Sequence, residues 1–539
     1  MRFWFAVAPF VVLAFGACGA PPSFDGLTGG PPLDAGPEAD AFPSFELVPD
    51  ETLPAPRPVA PLSVSWVGTA RPTFRWELAR GTVGARVEVC RTRACDGETK
   101  TFEAAGADLT VPEDLAPGIW FWRLYGKTAA SFGTKPSVTW EVLVRGGPST
   151  DKTSAPNGSI VDIDGDGRAD LVVTLEHDVG AETFLDMVPL RATNDDSTAF
   201  EGAGAPLAAL QLRGRETRLA GGIDTDGDGF SDLVVADKGT GTRHDVLFVA
   251  GSAVGIASDR VGLVPTPPLE EMPEVHEAGD IDGDGRGDLV VSTRTAGFAF
   301  FGTARGFGPF QYLLQFVGGP DGGLDGGAPA LTGPLATAGA FDRNGDGFSD
   351  VAIASPLPSA PLFFVLGAAN GELGAFDPVV DASPVRTPAE RLTTGDFDGD
   401  GLSDTAFVTT QDGAPALCVL RATEPEAAKL TCFVSPSATG FATSIAACDL
   451  EGDGRDEILI GGSEGGVDAL RLEGEALRPD RVTTEWGVQI TRIHPGRPGP
   501  AVWAATRSDG TSIAIFKGTT RVTTLAPIAG AARFGRWLR

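Results

Sequence analysis

The sequence predicts an all-β protein, a seven-bladed β-propeller preceded by a small β-sandwich. Three observations predict it. An acidic nine-residue pattern returns six times at intervals of 53 to 62 residues and leads into an apolar run. Ahead of it, about 84 residues alternate with period two and hold five of the nine tryptophans. The composition, with 72 Gly and 42 Pro against 3 Met, suits turn-rich strands better than helices. With 42 Lys+Arg against 72 Asp+Glu, the net charge of −30 excludes a nucleic-acid partner that needs a basic surface. A hydrophobic fraction of 42% excludes wholesale disorder. At 539 residues the chain has room for two to four domains.

Residues 1–18 have the pattern of an export signal. Arg2 precedes an apolar run from Phe3 to Phe15, broken only by Pro9 and shorter than the ~20 residues of a membrane span. The run ends in Phe15-Gly16-Ala17-Cys18, which resembles a bacterial lipobox with Phe15 where Leu is usual. The resemblance implies that Cys18 is lipidated and begins the mature chain; an ordinary signal peptide cut nearby is the alternative. Gly19, where Asp would imply inner-membrane retention, implies an outer-membrane lipoprotein facing the periplasm or the cell surface. The membrane is then touched only through the lipid. Residues 19–61 carry 11 prolines, seven acids and one base, Arg57, so they are expected as an extended spacer that builds no core.

Cysteine usage agrees with export. Cys90 and Cys95 flank a short turn, and Cys418 and Cys432 can face each other across a hairpin. Both pairings are permitted in an oxidising compartment. Cys448 is left over and is expected as a buried, inert thiol.

Residues 62–147 are expected to form the sandwich. Phe74, Trp76 and Leu78 share one face, as do Val87 and Val89, and Val138, Trp140, Val142 and Val144. Arg80-Gly81, Asp96-Gly97 and Ala116-Pro117-Gly118 separate the strands. The segment Leu115–Leu124 is similar to late strands of fibronectin type III-like modules. Its aromatics, with Trp66, are expected as core.

The repeats occupy residues 150–539. Each has the form Asp-x-Asp-Gly-Asp-Gly-x-x-Asp. The copies place acids at Asp162, Asp164, Asp166 and Asp170; at Asp224, Asp226, Asp228 and Asp232; and at Asp280, Asp282, Asp284 and Asp288. The fourth has Asp342, Asn344, Asp346 and Asp350, and the fifth Asp396, Asp398, Asp400 and Asp404. The sixth varies to Asp449, Glu451, Asp453 and Glu457. Oxygens at positions 1, 3 and 5 can converge on one cation. The position 7 carbonyl (Arg168, Phe230, Arg286, Phe348, Leu402, Arg455) and the position 9 carboxylate complete a shell of the 6–8 oxygens that Ca²⁺ takes. Magnesium demands a tighter octahedron. Without a cation, two carboxylates ~4 Å apart repel by about 1 kcal/mol in water and about 4 at an effective dielectric of 20. The expected complement is about six structural Ca²⁺. The loops hold 23 side-chain carboxylates, so six ions move the net charge from −30 to −18. An EF-hand is excluded, because position 12 is Val173, Val235 or Val291 within a β-branched run rather than a bidentate Glu before a helix.

Each run is followed by a turn and a second apolar segment, as in Asp245–Gly251, Gly297–Gly302 and Leu362–Gly367. A unit of about 55–60 residues with about four strands is one propeller blade. The repeats resemble the FG-GAP or VCBS type, the seven-bladed propeller of integrin α-subunits and of many bacterial surface proteins. The resemblance spans about 390 residues. It implies metal loops on one face and ligands on the other. The family's Gly-Ala-Pro after the loop is mostly missing, so neither an integrin partner subunit nor integrin ligands are carried over. A seventh unit, with Arg492–Pro500 in the loop position, has no carboxylates and is expected without metal. The terminal Ala532–Leu538 is either a closing strand for the first blade or a loose tail.

Little points to catalysis. The four histidines, His177, His244, His276 and His494, fall in separate blades and are expected at the surface or in loops. Glu270, Glu271, Glu274 and Glu277 are expected as a solvated connection, and Gly318–Gly333 as a flexible one. The leading expectation is a surface-displayed, calcium-stabilised binding or adhesion protein whose ligand is an extracellular protein or glycan. The alternatives are a polysaccharide lyase or hydrolase on a propeller scaffold, and a purely structural envelope component.

Overall fold

In this computed structural model the described residues run from 47 to 538. They exclude 62, 64, 68, 145–159, 180–181, 195–196, 203–211, 214–216, 239–242, 257–259, 316–334, 355–361, 372, 374–375, 379–390, 423–429, 437–439, 464, 495–498, 508 and 527–532. The export signal, Cys18, most of the spacer and the Gly318–Gly333 connection lie outside them.

The sandwich begins earlier than the composition suggests. Val48–Asp50 pairs in parallel with Ser131–Gly133, and Arg57–Ala60 pairs antiparallel with Thr73–Glu77. The Pro-rich spacer therefore ends near residue 47 rather than 61; its last part supplies edge strands, where proline is tolerated. One sheet has seven strands and the other three. Phe74, Trp76, Val87, Val89, Trp120, Trp122 and Trp140 are buried in one cluster between them. Trp140 meets Trp122 edge-on at 5.7 Å. Leu78 and Val138 depart from the expected face: they lie just outside strands Thr73–Glu77 and Trp140–Val144 and are exposed.

Seven antiparallel sheets follow, and they make a propeller. Six have four strands each, in sequence order. The first has five, because the C-terminal strand Arg533–Leu538 pairs with Leu171–Val179 as its innermost strand. The tail is thus the closing strand, and the ring is joined by backbone hydrogen bonds between the two ends of the propeller. The inner strands Arg218–Ile223, Glu274–Gly279, Thr337–Phe341, Arg391–Gly395, Ser444–Cys448 and Ile490–His494 follow one another round the axis, and Arg533–Leu538 completes the turn.

The continuous apolar runs after each acidic loop have a direct cause. Each second strand is covered on both faces by neighbouring blades. Leu233 and Val235 pack with Val172 and Met187 of the first blade, whereas Val234 and Ala236 pack with Leu289 and Val291 of the third. The same interleaving joins blades 3 and 4, 4 and 5, 5 and 6, 6 and 7, and 7 and 1.

The sandwich sits on the end of the propeller that carries the acidic loops. Trp66 is buried among Ile160, Ala169 and Ile493 of blades 1 and 7. Ile119, Glu141 and Leu143 face Ile223, Asp224, Gly279 and Ala340 of blades 2 to 4. These contacts place the sandwich against blades 7, 1, 2, 3 and 4 at that end of the ring. Among the described residues, no helix is long and apolar enough to cross a membrane.

Candidate metal centres

Each acidic loop connects the inner strand of its blade to the second strand; in blade 1 it follows residues 160–161. The loop is wound around its own carboxylates. Asp162 accepts the N–H groups of Asp166 (3.1 Å) and Gly167 (3.1 Å), Asp164 accepts from Asp166, and Asp166 accepts from Arg168. The position 9 carboxylate ties two elements together. Asp170 accepts from Ile163 within the loop (2.9 Å) and from Ala192 at the end of the third strand (3.0 Å). Asp232, Asp288, Asp350 and Asp404 repeat this double bond with Gly251, Gly302, Gly367 and Ala422. Position 6 glycines carry φ of 83° to 94°, the left-handed turn that exposes successive N–H groups to the acids.

In loops 1, 2, 3 and 5 the carboxylates at positions 1, 3 and 9 bring oxygens within 4.8 Å of one another. Positions 1 and 9 are buried. Burial, and then the neighbouring carboxylates, hold Asp170, Asp288 and Asp404 well above the ordinary carboxylate range. Burial is also the first cause that pushes Asp232 up to about 8 and Asp350 up to about 7. Three converging oxygen-only donors, two of them buried and the position 9 acid held above the ordinary carboxylate range, fit a divalent metal ion, which would supply the missing positive charge. Loop 4 substitutes the Asn344 amide, whose oxygen accepts the Asp346 N–H at 3.0 Å as Asp282 does in loop 3.

The loops are also linked to one another, which the repeat pattern alone did not disclose. The position 8 N–H of one loop donates to the position 1 carbonyl of the loop before it: Ser231 to Asp162 (2.8 Å), Gly287 to Asp224 (2.8 Å), Ser349 to Asp280 (3.0 Å), Asp456 to Asp396 (2.9 Å) and Ala501 to Asp449 (2.8 Å). Position 7 side chains lie over the position 4 glycines of the preceding loop, Phe230 on Gly165 and Phe348 on Gly283. A Cβ on Gly283 would fall 2.5 Å from the Phe348 ring. The first glycine of the repeat, at position 4, is therefore a packing requirement.

The sandwich engages loops 3, 4 and 5. Arg93, in the six-residue loop closed by Cys90 and Cys95, donates to the Gly347 carbonyl at 2.9 Å and pairs with Glu141 at 3.2 Å. Its guanidinium lies 4.1 Å over the Phe348 ring and 4.0 Å from Asp280. Ser63 donates to the Gly347 carbonyl, Trp140 to that of Gly345 and Arg57 to that of Asp400. Cys418 and Cys432 are bonded across paired strands, and Cys448 is buried, its thiol pushed up by desolvation.

Loop 6 differs. Arg471 forms ion pairs with Glu451, Asp453 and Glu457. Arginines recur at this ladder position: Arg191 stands opposite Asp170, Arg421 opposite Asp404 and Arg471 opposite Glu457. The signal was present as Leu190-Arg191-Ala192, Leu420-Arg421-Ala422 and Leu470-Arg471-Leu472, but nothing local says that it faces an acidic loop.

A cavity of about 570 Å³ runs along the axis between the inner strands, from Val161, Asp170 and Ala340 beside the acidic loops to Arg218, Glu274 and Arg391 at the other end. Arg218, Glu274, His276, Glu277, Arg391 and Arg492 contribute to its wall. Arg218 and Glu274 are ion-paired at 2.6 Å. His276, Glu274 and Glu277 therefore belong to an inner strand, not to the surface or solvated connection expected for them. Val275 and Ala278 are buried, but a register shift between Glu277 and Gly279 breaks the period-two alternation, and the acidic run masked the strand.

No protein-family model matches the chain, and no curated protein matches it. Among solved structures, a candidate 6-phosphogluconolactonase of Bacteroides uniformis ATCC 8492 is similar at 13% identity and TM-score 0.42, covering 68% of this chain and 98% of that one. A second candidate 6-phosphogluconolactonase, from Bacteroides fragilis NCTC 9343, is similar at 12% identity and TM-score 0.39 over 68% of this chain and 97% of that one. The Dos1 propeller is similar at 10% identity and TM-score 0.36 over 83% of this chain and 95% of that one. The propeller assignment rests on the blade topology described above.

Proposed function

We propose that this chain is a surface-displayed binding propeller, stabilised by calcium in its acidic loops and anchored to the outer membrane through a lipid on Cys18. Calcium suits donor sets made only of carboxylate, amide and carbonyl oxygens, in flexible loops that can supply 6–8 ligands. On this reading the repeats are of the FG-GAP or VCBS type and the sandwich is a fibronectin type III-like module. The observation that supports a binding role is the seating of the sandwich. It covers the acidic-loop end and leaves the opposite mouth, with Arg218, Glu274, His276 and Arg391 in its wall, for an extracellular protein or glycan.

The test uses the purified full chain on arrays of envelope and matrix glycans and in pull-downs with surface proteins, with and without calcium. Binding that is lost on Arg391→Ala at constant melting temperature supports the reading. Binding unaffected by changes at the mouth sinks the assignment of the ligand face. Turnover of a uronate polymer in the same samples would replace binding by catalysis.

A further inference from the structure

We infer that loop 6 is closed by a guanidinium instead of a metal ion: Arg471 occupies the cation position among Glu451, Asp453 and Glu457, and this loop binds no calcium. The inference rests on reading the other acidic loops as calcium sites.

Four observations carry it. Ladder register sets Arg471 directly opposite Glu457, the position 9 acid, because Ile458 pairs with Leu470. Arg471 then meets three carboxylates of the loop at once, Glu451, Asp453 and, at 3.6 Å, Glu457. A planar fork with five donors can serve several carboxylates, which a single ammonium does less well. Glu451 stands where the other loops have Asp or Asn and its side chain is exposed, and Glu457 stands where they have Asp and keeps the bond to the Leu450 N–H at 2.8 Å. Among the described residues, the acids at positions 1, 3 and 9 bring their oxygens within 4.8 Å in loops 1, 2, 3 and 5, and those of loop 6 do not.

The other arginines near acidic loops set the contrast. Arg191 and Arg421 share the ladder position of Arg471. Arg191 approaches Asp164 of its loop at 3.1 Å and Arg421 approaches Asp398 at 3.8 Å. Arg260 reaches Asp226 and Asp228 from the solvent side and is 44% exposed. In those three loops the position 1, 3 and 9 oxygens still converge. Among the described residues, the guanidinium of Arg471 spans positions 3, 5 and 9 of its loop, whereas Arg191 and Arg421 approach position 3 and Arg260 positions 3 and 5 of theirs. A dication arriving there would meet a fixed positive charge and carboxylates already engaged by it. Blade 7 has no acidic loop, so blades 6 and 7 together form an arc whose loops hold without metal, beside the seam where the C-terminal strand closes the ring.

Calcium bound per chain is counted by native mass spectrometry and by equilibrium dialysis on the full chain at saturating calcium. The wild type is expected to bind five ions. Asp404→Asn and Asp398→Asn, in loop 5, lower the count by one. Glu457→Gln and the exposed Asp453→Asn, in loop 6, leave it unchanged. A count that falls by one in either loop 6 variant overturns the inference, whatever the wild-type total. A wild type that binds no calcium overturns the calcium reading itself, and the loop 5 variants then change nothing. Should Glu457→Gln fail to fold, Asp453→Asn decides alone, because Asp453 is half-exposed and its change leaves Glu457 in place.

Discussion

Replacing Asp232 by Asn separates the two roles of a position 9 acid, tie and ligand. Its carboxylate accepts the Thr225 N–H at 2.9 Å and the Gly251 N–H at 2.9 Å. An amide offers one acceptor oxygen, so one of these buried donors meets an NH₂ group instead; the loss is about 1–3 kcal/mol whether or not metal is present. The ligand role adds a second loss only when calcium is bound. For a site with a dissociation constant of about 10⁻⁴ M in about 2 mM calcium, it is about 1.8 kcal/mol. In the metal-free protein burial and the charges of Asp224 and Asp226 push Asp232 up to about 8. The side chain is then largely protonated at neutral pH, so Asn removes no charge there and its loss is that of the misplaced NH₂ group alone. The expected destabilisation is therefore about 3–5 kcal/mol in calcium and about 1–3 in chelator, measured by urea and thermal unfolding of the full chain in both buffers. Equal losses in the two buffers would refute the ligand role. Glu457→Gln is expected to show such equal losses, because Arg471 serves that loop.

Three further outcomes are expected. Metal-free protein should lose stability as pH rises. The folded carboxylates hold protons that the unfolded chain releases near pH 4, so the stabilisation is complete below that pH and is lost through about pH 7 for Asp350 and about pH 8 for Asp232. The slope is about 1.4 kcal/mol per pH unit for each acid that stays protonated, and a chelated melting temperature that climbs from pH 5 to 8 would contradict it. Gly283→Ala should cost about 1–2 kcal/mol for its left-handed φ of 73° plus about 1–3 for the Cβ set 2.5 Å from Phe348. Gly81→Ala, at φ 86° with nothing within 4 Å, should cost only the first part, so equal losses would remove the packing argument. Deleting residues 533–538 removes the ladder partner of Leu171–Val179. It should lower stability by several kcal/mol, at about 1 per lost hydrogen bond, read as earlier melting; an unchanged melting curve would mean that the closing strand is dispensable.

The repeat made most of the propeller legible in the sequence. Asp at position 1 to Asp at position 9 specifies a closed loop, and Leu-Val-Val after it specifies a strand covered on both faces. Closure was not legible: Arg533–Leu538 has no pattern that distinguishes an inner strand from a tail until its partner, Val173 to Glu176, is known to lack one. The start of the sandwich was hidden by proline, since Pro49 and Pro58 sit in strands whose edges need no N–H there. The six-ion expectation missed Arg471, because ladder register across a hairpin, rather than any spacing within the loop, brings it to Glu457. Glu274 and Glu277 were misplaced for the converse reason. Acids clustered in sequence look solvated, yet a propeller's inner strand can turn them into a polar channel.

The two ends of the propeller differ in what their polar groups already do. At the acidic-loop end, the carboxylates are folded back onto loop N–H groups, and the carbonyls of Asp162, Asp224, Asp280, Asp396 and Asp449 accept from the next blade. The carbonyls of Gly345, Gly347 and Asp400 accept donors from Trp140, Ser63, Arg93 and Arg57 of the sandwich. The disulfide loop that carries Arg93 makes sense in this setting. It holds a guanidinium over Phe348, whose ring in turn covers Gly283 of loop 3, so the sandwich, loop 4 and loop 3 form one stack. A face built this way is a seat for the sandwich, and a ligand meeting it would have to displace bonds already made. The opposite end presents inner-strand side chains to the central channel, and among the described residues no sandwich side chain lines it. On the proposed calcium reading, ions in the loops would order the seat and the adjoining inner-strand ends without touching a ligand at the opposite mouth.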